Sequence, residues 1–434
     1  MAPTTPPHPQ KLKMKRVVVI GAGAAGLCAA RHLVNRQDFS VVVFEMTDKV
    51  GGTWVYSENT GVDSHGLPVR SSIYSNLRIN LPKEVMIFPD LPCLEGPKSF
   101  VGHQKVKEYL EYYTQHFDLH KHIQFNTIVE RVTPLSSGVG TRWRVQVRHL
   151  ENGSLPEVME VDGVIVANGH FSVPSMPELP NLEEFKGKVL HSHYYRHPED
   201  FKGQFVLCLG AGNSGVDISI DLSKFAEKVY LSHRNSALQS PLPSNIQQTC
   251  GIKKVLQNGV LLEDDTELQV DTLLMCTGYL YDFPFLSPEC HLSTTDERVT
   301  PLYKHVIHIN YPSLSFIGLC QEVCPFPQYH CQVQFAIAAL DGSMELPTAV
   351  QMAQDEEADY QQRLSEGLPR RHAHTMDYRQ WAYNDELASL GGFEPLPKVV
   401  QKVFAFITES RHKNVLEYQK LNIKIVSSED FIVC

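Results

Sequence analysis

The chain has 434 residues, enough for two to four domains, and 42% of them are apolar, so a full hydrophobic core is available and a disordered chain is excluded. Lys plus Arg number 39 against 49 for Asp plus Glu, a formal charge of −10 without a long basic run, which argues against nucleic acid as a partner. No apolar run reaches the roughly 18 residues of a membrane span.

Residues 1–14, opening with prolines and threonines, are expected to be a disordered tail. Residues 17–20 then predict a strand, Gly21-Ala22-Gly23-Ala24-Ala25-Gly26 a tight turn into a helix, and residues 41–44 a second strand ending in Glu45. In such a unit the glycines allow backbone to approach a pyrophosphate, and the acid reads an unphosphorylated adenosine ribose. Residues 17–30 also imitate a signal-peptide core, but cleavage there would destroy a turn that Glu45 supports. Gly51-Gly52-Thr53-Trp54 reads as a second close approach of backbone to the same ligand. From 104 to 117, Val106, Tyr109, Leu110, Tyr113 and Phe117 share one helical face and predict core packing.

After β-rich runs across 123–147, residues 163–167 predict a strand ending in Asn168-Gly169-His170, and 272–275 a matching strand ending in Cys276-Thr277-Gly278-Tyr279. Between them the glycine unit recurs. Residues 205–209 lead into Gly210-Ala211-Gly212-Asn213-Ser214-Gly215, and 229–232 lead to His233 and Arg234. Glu45 lies 19 residues after Gly26 (45 − 26), and Arg234 lies 19 after Gly215 (234 − 215). An arginine at that offset accepts a ribose 2′-phosphate, so the second site is expected to choose NADP over NAD. The fold class expected is therefore α/β, with two Rossmann-like domains. The second, 172–298, is inserted between 15–171 and 299–434 of the first.

Just before the second unit stands Phe185-Lys186-Gly187-Lys188-Val189-Leu190-His191-Ser192-His193-Tyr194-Tyr195, the pattern F-x-G-x-x-x-H-x-x-x-Y. Farther on, Pro325 and Pro327 predict a helix start carrying Gln332 on its first turns, and helical patterns continue at 351–367 and 376–390. The ten cysteines show no C-x-x-C pair. No dithiol or zinc cage is expected, and reduced thiols favour the cytoplasm while leaving secretion open. His191 and His193 offer one metal edge, but no sequence cluster completes four ligands, so no metal is expected.

Together these motifs resemble the flavin-containing monooxygenase family, in a short soluble form similar to arthropod members that include pyrrolizidine alkaloid N-oxygenases. The resemblance covers about Lys15 to Gly392 and implies FAD and NADPH as cofactors. It implies that Gly21, Gly23, Ala24, Ala25, Gly26 and Glu45 hold FAD. Gly52, Thr53 and Trp54 would border the flavin, Val129 would lie near the adenine, and Gln332 would lie at the flavin ring. Asn80, followed by Leu81, matches the family asparagine facing the reactive side of the flavin, the one catalytic residue expected. Gly210, Gly212, Asn213, Ser214, Gly215, Asp217 and Arg234 would bind NADPH. The implied reaction is oxygenation of a soft nucleophile, an amine (alkaloids included) or a sulfide, by O2 through a C4a-hydroperoxyflavin. Partners are then small molecules, with a homo-oligomer left open. Three rivals share the nucleotide sites. A flavin disulfide reductase lacks its dithiol here, a Baeyer–Villiger monooxygenase typically has tryptophan where Tyr195 stands, and a nucleotide-sensing flavoprotein would not consume oxygen.

Overall fold

The computed structural model describes residues 14–92, 96–151, 155–233 and 237–434; the expected tail up to residue 13, and Arg234, lie outside the described residues. β1 (Lys15–Ile20) ends in four buried residues, α1 (Ala24–Val34) follows the first glycine turn, and β2 (Phe39–Phe44) pairs parallel to β1 with Val17 opposite Val41. Leu27 and Leu33 of α1 are fully buried, each contributing about 1.5–3 kcal/mol by leaving water. α2 (His103–His116) buries Val106, Tyr109, Leu110 and Tyr113 on the expected face. β3 (Ile123–Gln124) pairs beside β2, and β4 (Thr127–Pro134), β5 (Trp143–His149) and β6 (Glu157–Val161) form a separate antiparallel sheet. β7 (Gly163–Val166) returns to the other side of β1.

From β7 the chain leaves this sheet. β8 (Val173–Pro174) lies in the outward connection, and β9 (Lys188–His191) begins a new sheet. Then come β10 (Phe205–Leu209), the second glycine turn, α3 (Asn213–Leu222), β11 (Lys228–Ser232) and β12 (Ile246–Thr249). A small antiparallel meander of β13 (Ile252–Leu256), β14 (Gly259–Leu262) and β15 (Glu267–Gln269) leads to β16 (Thr272–Met275). This parallel sheet has the order β12-β11-β10-β16-β9. The return connection, β17 (Tyr279–Leu280), pairs antiparallel with β8. The two connections are also cross-tied: Asn168 Nδ2 donates to Asp282 O at 3.0 Å and Thr277 Oγ1 to Ser175 O at 2.6 Å.

β18 (Leu302–Tyr303), β19 (Ile307–His308) and β20 (Leu314–Phe316) complete the first sheet, in the order β18-β19-β20-β7-β1-β2-β3. β20 docks parallel on β7, so the sheet interrupted at β7 resumes at β20. Tyr281, Phe283, Phe285 and Cys290 pack in one apolar cluster with Val18, Ile20 and Val164. By packing, then, the inserted unit ends near β17 rather than at residue 298, because these aromatic side chains find their burial against the first sheet.

α4 (Pro325–Asp341) lies across α1, followed by α5 (Ala349–Ser365), opened by a capping box between Thr348 and Gln351, and α6 (Gln380–Gly391), which packs on α4. α7 (Lys398–Lys413) and the hairpin β21 (Ile423–Ile425)–β22 (Phe431–Val433) close the chain. No helix of the described residues is long and apolar enough to cross a membrane.

Candidate nucleotide sites

The two glycine turns have the same construction. Gly21 has φ +102° and Gly210 φ +107°, where a side chain would be strained, and a Cβ would lie 2.7 Å from Ala167 O and 2.4 Å from Cys276 O respectively. A Cβ on Gly26 or Gly215 would stand 1.8 Å from the carbonyl oxygen of Gly21 or Gly210. The first and third glycines are thus demanded by the chain's own packing. The middle pair differs: Gly23 and Gly212 have ordinary φ values of −74° and −72°. A Cβ on Gly23 would make only a 3.5 Å contact to Gly52 Cα, and one on Gly212 would meet nothing within 4 Å. Protein packing asks for no glycine there. The space over both backbones is left open.

Both helices begin without a side-chain cap and without an acid in the first turn, so their leading N–H groups and positive ends remain available to an anion. Cover separates the two sites. Gly51 N donates to Ala22 O at 3.0 Å, and a Cβ on Gly52 would lie 2.9 Å from Gly23 Cα, so the turn carrying Gly52, Thr53 and Trp54 sits on the first glycine turn. Ala24 and Gly26 are buried, and Gly23 and Ala25 are half-buried; Gly212, Asn213 and Ser214 are exposed.

Glu45 is buried and bound to the first turn: its Oε2 accepts from Ala22 N at 2.8 Å, and its Oε1 from Thr47 N at 2.9 Å and Thr47 Oγ1 at 2.8 Å. Burial pushes its carboxyl up, and these donors oppose that. Glu45 and the first glycine turn therefore form one hydrogen-bonded unit. In the second unit Asp217 faces Arg411 of α7 at 3.4 Å, and Arg411 also donates to Asn213 Oδ1. Nothing in the spacing of the motifs indicates Arg411.

The fingerprint makes the joint between the two units. A Cβ on Gly187 would lie 2.3 Å from Asp271 O and 2.5 Å from the Phe185 ring, which folds over it at the start of β9. Tyr195, fully buried, donates to Asp221 Oδ2 of α3 at 2.9 Å. His193 Nε2 donates to Val69 O at 3.0 Å, and burial holds the His191 imidazole down to about 4, hence neutral near pH 7. Buried Arg196, one residue past the pattern, donates to Ser57 O at 2.6 Å and Ser71 O at 3.0 Å. Two side chains, His193 and Arg196, thereby clamp the 57–71 loop, which follows Trp54, to the inserted unit.

Among the remaining expected residues, Asn80 is half-buried and its amide has no hydrogen-bond partner among the described residues, while Leu81 beside it is buried. Gln332 is fully buried and fully engaged: Oε1 accepts from Gly318 N at 3.0 Å, and Nε2 donates to Tyr383 Oη at 3.0 Å and Cys320 Sγ at 3.4 Å. It holds the backbone after β20 and has no free donor for a ring. Val129, at the β4 bulge, packs in the cluster that contains Phe44.

Known proteins share this arrangement. The family model described as "Flavin-binding monooxygenase-like" matches residues 14–241 and 238–404. A flavin-containing monooxygenase of Arabidopsis thaliana, FMO GS-OX-like 4, is 36% identical over 411 residues, covering 90% of each chain. The structure of S-allyl-L-cysteine S-oxygenase from Allium sativum superposes with a TM-score of 0.85 at 34% identity, over 94% of this chain and 95% of that one. An open structure of cyclohexanone monooxygenase, at 17% identity and TM-score 0.61 over 87% of this chain and 98% of that one, shares the fold. This chain belongs to the flavin-binding monooxygenase-like family, whose cofactors are FAD and NADPH.

Proposed function

We propose that residues 15–171 with 299–434 hold FAD, that the inserted unit holds NADPH, and that the enzyme adds one atom of O2 to a soft nucleophile, a sulfide or a tertiary amine. The observation that carries this is the unequal cover of two otherwise identical turns. A turn closed over by Gly51–Trp54 suits a cofactor that stays bound, and an exposed turn suits one exchanged at each turnover. Bound FAD, reduced by NADPH, would supply the oxygen chemistry. The chain's own residues bind, orient and exclude water. The α1 N–H groups and Glu45 take the FAD pyrophosphate and ribose. Gly52, Thr53 and Trp54 border the flavin, and Val129 lies toward the adenine. Gln332 acts at one remove, by holding Gly318. The α3 turn, with Ser214 and with Asn213 and Asp217 held by Arg411, takes the NADPH pyrophosphate, and Arg234 takes its 2′-phosphate.

Asn80 is the catalytic residue of this reading. Its unpartnered amide is the donor and acceptor pair that can position the nicotinamide nucleotide over the flavin. Sulfide oxygenation is supported by the likeness to a sulfur oxygenase at 34% identity; tertiary amines, alkaloids such as pyrrolizidines included, share the electron-rich lone pair that the reaction needs. The test supplies NADPH and isotopically labelled O2 with a thioether amino acid, a pyrrolizidine alkaloid and a cyclic ketone. One labelled oxygen in the thioether or amine product, with NADPH consumed in step, is expected. Lactone from the ketone alone, or hydrogen peroxide as the only oxygen product, would refute the proposal.

A further inference from the structure

Away from both turns, the crossing of α1 and α4 brings together donors from opposite ends of the chain. Cys28 and His32 stand one helical turn apart on α1, and His330 faces them from α4. One ligand atom from each of the three lies within 4.8 Å of the other two. His32 Nε2 and His330 Nδ1 are 3.1 Å apart, with the rings edge to face at 4.8 Å between centroids. Nitrogens at about 2.0–2.1 Å from a tetrahedral cation stand roughly 3.3–3.4 Å apart, so the imidazole pair is already close to a shared-ligand spacing. The thiol is the donor that must close in.

We propose that Cys28, His32 and His330 bind one Zn²⁺, which fastens the helix that begins at the first glycine turn to the helix that carries Gln332. A thiol with two imidazoles is a donor set that selects zinc among abundant divalent cations, whereas magnesium and calcium require oxygen ligands. Binding converts the Cys28 thiol to a thiolate and releases one proton, leaving Zn²⁺ with a single anionic ligand. The fourth position falls to a ligand from outside the protein, because the group whose ligand atoms all lie within 4.8 Å of one another comprises Cys28, His32 and His330 and leaves out Asp90. Asp90 is a nearby negative charge. Its carboxylate acts on both Cys28 and His330 and is held by Tyr113 Oη at 3.3 Å and by Arg31 Nε at 3.4 Å. Arg31, a cation beside the group, is paired with Asp90 at 3.4 Å and lies over the Phe117 ring at 4.0 Å.

The test uses full-length holoprotein purified through a tag without histidines and passed over a chelating resin, with metal content read by mass spectrometry. The expected result is about one zinc per chain, reduced at least about tenfold in both Cys28→Ser and His330→Gln, and a melting temperature of stripped wild type that rises when zinc chloride is restored. If either variant does not fold, competition of stripped wild type against a zinc-binding dye decides. Removal of one equivalent of zinc from the dye is expected. Zinc below about 0.1 per chain together with no competition, or undiminished zinc in His330→Gln, would overturn the proposal.

Discussion

Two alanines in the second glycine turn should separate ligand binding from folding. At Gly215 the added Cβ would stand 1.8 Å from Gly210 O, so α3 must move away from the β10 turn. Overpacking that displaces backbone costs about 1–3 kcal/mol or more. At Gly212 the same methyl meets no protein atom within 4 Å and φ is −72°, so the folding cost is confined to the poorer N-cap, about 0.5–1 kcal/mol. That methyl would occupy the approach path of the pyrophosphate, whose charge-assisted hydrogen bonds to backbone N–H are worth about 1.5–3 kcal/mol each. Losing one, at about 2 kcal/mol, raises the NADPH KM roughly thirtyfold. Steady-state NADPH oxidation and thermal melts of both variants provide the readout. Gly212→Ala should melt close to wild type with a raised NADPH KM and its flavin retained, whereas Gly215→Ala should melt far lower. An unchanged KM in Gly212→Ala would remove the pyrophosphate from this turn.

Asn80→Ala should keep FAD, because its amide makes no hydrogen bond among the described residues, but should release more hydrogen peroxide per NADPH oxidised; unchanged coupling would return Asn80 to a turn role. At Asp359, burial alone would raise the carboxyl, yet the bonds from His305 and from Arg363, whose Nε donates at 2.7 Å, outweigh it and hold the carboxyl far below the usual range. The folded value being depressed, this stabilisation is complete above an unfolded pKa of about 4 and fades as pH falls toward the folded value. Urea unfolding of wild type and Asp359→Asn should therefore differ at neutral pH and converge in acid, and a gap that widened on acidification would contradict the assignment.

The sequence by itself determined the two glycine turns, their parallel-strand settings and the shared offset of Glu45 and Arg234. These are local: a turn that needs φ near +100° at one position and no Cβ at another leaves its mark within six residues. The α2 face was legible for the same reason, since Val106, Tyr109, Leu110 and Tyr113 repeat at the helical period. The insertion, too, could be read from two similar strands each ending in a glycine. Only the tertiary structure decided where that insertion returns, because Phe283 and Phe285 could have packed on either sheet and found room on the first. It also decided that Gln332 bonds inward to Gly318 and Tyr383, leaving no donor for a ring, and that Arg411, almost two hundred residues on in the chain, reaches Asn213 and Asp217. The grouping of Cys28 and His32 with His330 depended on the crossing of α1 and α4, since donors recruited across a packed interface obey no sequence interval. Spacing encodes what a backbone segment must do alone, and close packing selects which distant side chains it meets.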